Sequence, residues 1–103
     1  MAKNEINKQT SSTDYLEREG HRLLIIRRES GLSFRIIDPK TCRSEEETSF
    51  RNRELKEMIR MARESGETSI RLSIRAPSHR RGGIVITFPC AFLKKHMERS
   101  SLN

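Results

Sequence analysis

The spacing of hydrophobic residues changes several times along the chain, and each change marks a predicted element. Residues 23–26 form a short apolar run, and the next apolar residues alternate with polar ones: Leu32, Phe34 and Ile36. Alternation with period two is typical of a strand with one buried face, and Ser30-Gly31 supplies turn residues between the two runs. The sequence therefore predicts a β-hairpin over about residues 22–38.

A helical spacing follows in the middle of the chain. Four apolar residues recur at i, i+3, i+4 and i+7, on one face of a helix: Leu55, Met58, Ile59 and Ala62. They predict an amphipathic helix from about Phe50 to Ser65, with Gly66 as its stop. Its charged side, where Arg60 and Glu64 are four residues apart, is expected to face solvent. Ser44 with Glu47 matches a capping box that would start the helix earlier.

A second alternating region predicts another hairpin. Residues 68–76 place four apolar side chains on one side: Ile70, Leu72, Ile74 and Ala76. A loop rich in arginine and glycine separates them from residues 84–88, which alternate again. Pro89 suits the first position of a final short helix. His96 lies on the apolar stripe of that helix, which favours a packed position for this histidine.

The first twenty positions contain few large apolar residues. Only three occur there: Ile6, Tyr15 and Leu16. Because so few cannot offset the entropy of ordering the segment, we predict a mostly disordered tail over residues 1–20. Within it, Asp14–Glu19 could form one helical turn that ends at Gly20. The remaining chain is predicted to form a single domain over residues 21–99, with a frayed C-terminus at residues 100–103.

These elements follow one another in the order ββαββα and predict an α+β fold. The expected architecture is a small, mostly antiparallel sheet of two β-hairpins, with one amphipathic helix packed on one face and a short C-terminal helix. If both hairpins share one sheet, the face opposite the helix carries hydroxyl and guanidinium groups: Ser33, Arg35, Ser69, Arg71, Ser73, Arg75 and Thr87.

The charge balance indicates the chemical class of the partner. The chain has 103 residues, enough for one small domain, and carries 21 Lys and Arg against 14 Asp and Glu. The net charge of +7 favours a polyanion, and the planar guanidinium of arginine matches phosphate. In the basic loop, residues 79–83, glycines let backbone N–H groups approach an anion. The candidate nucleic-acid contacts are Arg35, Arg71, Arg75, His79, Arg80, Arg81, Gly82 and Gly83.

Several functional hypotheses follow from this surface. The first is a small nucleic-acid-binding regulatory protein without catalytic activity. Because aromatic side chains for stacking on unpaired bases are scarce, duplex DNA or structured RNA is the expected ligand. An alternative is an adaptor or inhibitor that docks an acidic surface of a partner protein. A minor alternative is a small ribonuclease that uses His79. A homodimer joined through an edge strand is also open.

Cysteine use and hydropathy bear on cofactors and compartment. Cys42 and Cys90 are the only cysteines, and they form neither a CxxC pair nor a zinc-ligand spacing. We therefore expect no metal or other cofactor, and a reducing, cytoplasmic environment. No apolar run approaches the ~18 residues that cross a bilayer, so no association with a membrane is expected.

Overall fold

The computed structural model describes residues 12–78 and 82–101. Within them, six strands and two helices follow one another: β1 (Ser12–Arg18), β2 (His21–Arg28), β3 (Gly31–Ile36), β4 (Thr48–Arg51), α1 (Asn52–Glu64), β5 (Ser69–Arg75), β6 (Gly83–Pro89) and α2 (Cys90–Ser101). The strands form a four-stranded antiparallel sheet, in the order β1-β2-β3-β4, and a two-stranded antiparallel sheet, β5-β6. The predicted α+β class is confirmed, and both predicted hairpins form.

The two hairpins lie in separate sheets because the segment after β3 folds back beside it. Ser44 forms a bridge with Ile37, and β4 then pairs with β3 from Thr48 to Arg51. This segment occupies the edge of β3 that β5 would need in a single sheet. Arg75 N–H donates to Thr48 Oγ1 at 2.8 Å, so the end of β5 lies beside the start of β4 without pairing as a strand.

Strand β1 replaces the helical turn that the sequence predicted over Asp14–Glu19, and that prediction was wrong. β1 pairs with β2 along its whole length. The two residues between them, Glu19 and Gly20, have φ values of 53° and 82°, as a type I′ hairpin turn requires. Gly20 therefore closes a hairpin instead of ending a helix. Residues 1–11 of the predicted tail lie outside the described residues, whereas Ser12–Arg18 belong to the sheet.

Helix α1 begins later than the capping box at Ser44 and Glu47 suggested, and that earlier start was wrong. The carboxylate of Glu54 accepts the Arg51 N–H at 2.9 Å, which satisfies a backbone donor at the true start of the helix. At the other end, Gly66 has a φ of 79° and its N–H donates to the Arg63 carbonyl at 3.0 Å. The predicted glycine stop is confirmed.

The core lies between the sheets and the helices. α1 buries Leu55, Ile59 and Ala62. The apolar run of β2 and the alternating apolar residues of β3, β5 and β6 also face the core, with Ile84 of β6 only partly buried. Phe34 is fully buried, and its ring centroid lies 5.2 Å from that of Phe88 on β6. Since Phe34 belongs to the larger sheet and Phe88 to the smaller one, this contact joins the two sheets through the core.

Side chains of the β1–β2 hairpin cover the outer edge of β6. Arg18 Nε donates to the Thr87 carbonyl at 2.8 Å, and the Thr87 N–H donates to the Glu19 carboxylate at 3.0 Å. The backbone groups of Thr87 that face away from β5 are thereby satisfied. A new strand cannot pair there without displacing both side chains.

A buried polar cluster fixes α2 on the larger sheet. Arg27 is 7% exposed, and its guanidinium contacts Ser12 Oγ at 2.8 Å and Asp14 Oδ2 at 2.7 Å. The same guanidinium lies 2.7 Å from Nδ1 of His96, which is buried as the sequence favoured. Because arginine has only donors, Nδ1 accepts, which places the proton of a neutral His96 on Nε2.

Candidate nucleic-acid interface

A carboxylate lies at the centre of the outer face of the larger sheet. Glu47 forms ion pairs with Arg28 at 2.9 Å and with Arg35 at 3.2 Å. Ser33 faces the same side but is 1% exposed, and its hydroxyl is bonded by Arg28 at 3.3 Å and by Ser49 at 2.9 Å. The guanidinium of Arg35 is thus balanced within the protein, and Ser33 is covered. Both were predicted to lie open on this face.

Glu47 is the last of three consecutive glutamates, Glu45–Glu47, and the other two contact the β5–β6 hairpin. Arg75 Nε lies 2.9 Å from Glu46 Oε1, and Glu45 accepts hydrogen bonds from both the backbone N–H and the hydroxyl of Ser78. Arg71, by contrast, is exposed and has no ion-pair partner among residues 12–78 and 82–101. Of the three arginines predicted on the outer face, Arg71 is therefore the one without a described ion pair.

The basic loop is described only at its borders. His79, Arg80 and Arg81 lie outside the described residues, so their role as contacts stays a prediction. Gly82 is exposed, and its carbonyl accepts the Ala76 N–H at 3.0 Å. Gly83 begins β6 opposite Arg75. The two glycines therefore have a clear structural role in closing the hairpin.

The surroundings of Glu47 favour its ionised form. A hydrogen bond from Ser33, with hydrogen bonds from Arg28 and Arg35, lowers the pKa of Glu47 below its ordinary value, although partial burial opposes this. The negative charge at the centre of the outer face is therefore present throughout the physiological pH range.

Substituting Glu47→Gln should lower the free energy of unfolding at pH 7 by about 1 kcal/mol, the usual value of a partly exposed charged hydrogen bond. Because the native-state pKa is lowered, the contribution is complete above the unfolded-state pKa and is lost as the pH falls through the native-state pKa. Urea unfolding of both proteins at several pH values should show the difference shrinking below about pH 5. A difference that grows on acidification would contradict this assignment.

A groove between α1 and α2 brings cations of both helices together. Its volume is about 420 Å³, and four cationic side chains line it: Lys56, Arg60, Arg63 and Lys94. The buried side chains of Ile59 and Met97 form its apolar part, and Glu98 is its one acidic lining residue among those described. The structure thus contains a second cationic surface, on the helical side of the molecule.

The charges in this groove are less neutralised than those of the sheet. Arg60 pairs with Glu57 and, at 2.6 Å, with Glu64, as its spacing from Glu64 predicted. Lys56, Arg63 and Lys94 have no ion-pair partner in the part of the chain that the structure describes. Three uncompensated cations therefore lie around one groove.

The sequence did not predict this groove, because the charged side of α1 was expected to face solvent. A signal was present, because Lys56, Arg60 and Arg63 fall at i, i+4 and i+7 and so lie on one side of the helix. The packing of α2 against that side is a tertiary contact that helical periodicity does not encode. Lys94 joins the cluster only through this packing.

The described residues contain little that indicates other chemistry. Cys42 and Cys90 are free, the first exposed and the second buried. Across residues 12–78 and 82–101, no group of three His, Cys, Asp or Glu side chains is placed to hold a metal ion. In the same part of the chain, neither helix has the length and apolar character that a membrane span requires. The ribonuclease hypothesis depended on His79, and it stays a prediction.

Comparisons of the chain with protein-family models, with curated proteins and with solved structures give no match.

Proposed function

We propose that the protein is a small nucleic-acid-binding regulatory protein that contacts the phosphate backbone through the groove between α1 and α2. The observation that supports this most is the convergence of Lys56, Arg63 and Lys94, for which the described residues offer no carboxylate partner. Phosphate groups would supply the missing negative charge. Binding would release the counterions condensed on the nucleic acid, which drives association at low salt.

The dimensions of α1 suit a phosphate backbone. Lys56 and Arg63 are seven positions apart, which corresponds to about 10 Å along the helix at ~1.5 Å per residue. Phosphates of one DNA strand recur about every 3.4 Å along the duplex axis, so about three phosphates lie alongside this distance. Lys94 reaches the same groove from α2. Such contacts position a backbone without reading base sequence.

The outer sheet face supports the proposal less strongly than the groove. Glu46 and Glu47 already occupy the guanidinium groups of Arg75 and Arg35. A phosphate would have to replace these carboxylates, so the gain in binding free energy would be smaller there than at the unpaired cations of the groove.

A charge-reversed variant tests the proposal. We expect Lys56→Glu with Arg63→Glu to weaken binding to a 20-base-pair DNA or an RNA hairpin about 100-fold at ~50 mM salt, because two phosphate contacts become repulsive. The dependence of log K on log salt concentration should become shallower by about 2. Fluorescence anisotropy of labelled duplex DNA, hairpin RNA and single-stranded DNA, titrated at several salt concentrations, measures both quantities.

A matched control separates the groove from net charge. Lys40→Glu with Arg43→Glu changes the net charge by the same amount on an exposed loop outside the groove, and should alter affinity less than about threefold. Glu47→Gln removes the ion pairs of this carboxylate with Arg28 and Arg35 and should leave affinity within about twofold. Equal losses in the two double variants, or no binding of any probe at ~50 mM salt, would overturn the proposal.

A further inference from the structure

The hydrogen bonds at both ends of the β5–β6 hairpin establish which backbone groups of β5 face away from β6. Cys90 N–H donates to the Thr68 carbonyl at 2.9 Å, and Ala76 N–H donates to the Gly82 carbonyl at 3.0 Å. Hydrogen-bonded pairs alternate along an antiparallel ladder, so Ile70, Leu72 and Ile74 are the residues bonded to β6. The residues between them direct their backbone groups to the opposite edge: Ser69, Arg71, Ser73 and Arg75.

This opposite edge of β5 is largely unpaired. The Arg75 N–H is bonded by Thr48 Oγ1. The N–H groups of Ser69, Arg71 and Ser73 have no partner among the residues that the structure describes. The edge of β6 differs, because the side chains of the β1–β2 hairpin cover it at Thr87. The smaller sheet therefore has one covered edge and one open edge, and an open edge is a template for a further strand.

A groove lined by both apolar and polar side chains lies beside the open edge. It has a volume of about 380 Å³ between the end of α1 and the start of β5, and Met58, Met61, Ile70 and Arg71 are among the side chains that line it. Met61 is 55% exposed, which is unusual for so large an apolar side chain. Methionine side chains adapt to differently shaped partners, which suits a groove that accepts side chains from an added strand.

The charges along β5 select the kind of strand that fits. Arg71, Ser73 and Arg75 point to the exposed side of the sheet, and Arg71 lacks an ion-pair partner within the described ranges. Directly opposed like charges destabilise a strand pair, whereas opposite charges stabilise it. Glu67 also lines the groove, close to Ser69 and away from the centre of the strand. Arg75 is already paired with Glu46, so a strand with a carboxylate opposite Arg71 is favoured over a basic strand.

We propose that the open edge of β5, with the methionine groove beside it, binds an extended acidic segment of a partner protein by β-strand addition. The segment supplies backbone hydrogen bonds to Arg71 and Ser73, places an acidic side chain beside Arg71, and places an apolar side chain in the groove. This surface is separate from the proposed nucleic-acid site, because Met58 and Met61 lie on the side of α1 away from Lys56 and Arg63.

Peptide titrations of the full-length, ¹⁵N-labelled protein test this proposal. The probe is an acetylated, amidated peptide of four Glu-Val repeats, and the comparison peptides are four Lys-Val repeats and a Glu-Val peptide with a central proline. We expect the acidic peptide to shift the amide signals of residues 69–73 and to slow hydrogen exchange at Arg71 and Ser73 at least tenfold. The other two peptides should bind at least tenfold more weakly, because the basic peptide repels Arg71 and the proline-containing peptide lacks a backbone donor.

Two variants locate the interaction on β5. Arg71→Glu should weaken binding of the Glu-Val peptide at least tenfold, whereas Arg43→Glu makes the same charge change at an exposed residue outside the groove and should alter it less than twofold. Shifts confined to the α1–α2 groove, equal binding of the acidic and basic peptides, or slow exchange of the Arg71 and Ser73 amides in the free protein would overturn the proposal. So would a concentration-dependent dimer that protects the same amides, because a second copy of the chain would then occupy the edge.

Discussion

Replacing Phe34 with alanine is expected to lower the free energy of unfolding by about 4 kcal/mol, the usual cost of deleting a fully buried aromatic ring. Phe34 is 0% exposed, and its ring lies between Phe50 of β4, at a centroid distance of 5.9 Å, and Phe88 of β6, at 5.2 Å. The substitution removes the apolar contact through which the two sheets meet. It therefore creates a cavity that neither sheet can close alone.

Thermal and urea unfolding monitored by circular dichroism measure this loss. A domain of this size loses about 4–8 °C in Tm per kcal/mol, so a decrease of about 16–32 °C is expected. Val85→Ala is the matched control, because Val85 is 57% exposed on β6 and its truncation should cost about 0.5 kcal/mol or less. A Phe34→Ala protein that unfolds within about 1 kcal/mol of the wild type would show that the sheets do not meet at this ring.

Replacing Arg27 with alanine is expected to cost about 3 kcal/mol, because it breaks a buried ion pair and leaves the Nδ1 acceptor of His96 without its donor. Asp14 is partly exposed and can be hydrated, whereas His96 is 8% exposed and cannot. The loss of stability should therefore be greatest in α2. Hydrogen exchange in α2 should accelerate more than exchange in β5, which is outside the cluster.

Arg27→Met distinguishes the hydrogen bonds of Arg27 from the packing of its aliphatic stem. The methionine retains much of the buried apolar volume, so about half of the stability lost in Arg27→Ala should return. Urea unfolding of both variants measures the free energy of unfolding, and amide exchange followed by NMR measures the local opening of α2. Equal stabilities for Arg27→Ala and the wild type would mean that the cluster does not hold α2 on the sheet.

The parts of the fold that the sequence predicted well are those in which local periodicity and burial coincide. Leu55, Ile59 and Ala62 lie on the buried side of α1, and Ile70, Leu72 and Ile74 on the buried side of β5. In each case one face meets the core, so the spacing of apolar residues reports the geometry directly. β1 escaped prediction because its inward positions include the polar residues Ser12 and Asp14, which bond Arg27.

The candidate site was harder to predict than the fold because its charges are balanced over long distances in the sequence. Alternation correctly placed Arg35 and Arg75 opposite the core, but it carries no information about Glu46 and Glu47, which fold back against them. Likewise, the cations of α1 were visible as a charged side, and only the docking of α2 converts that side into a groove. Ion-pair partners and helix docking are tertiary contacts, which a periodic pattern does not contain.

The contacts that complete the fold join residues made at very different times. Arg18 bonds Thr87, and Arg27 bonds His96, each across 69 positions of the chain. At about 5–20 residues per second, these partners leave the ribosome about 3–14 s apart. Until α2 is synthesised, the guanidinium of Arg27 therefore lacks its contact with His96. Because such distant contacts also slow folding, we expect the native state to form only after α2 has been synthesised.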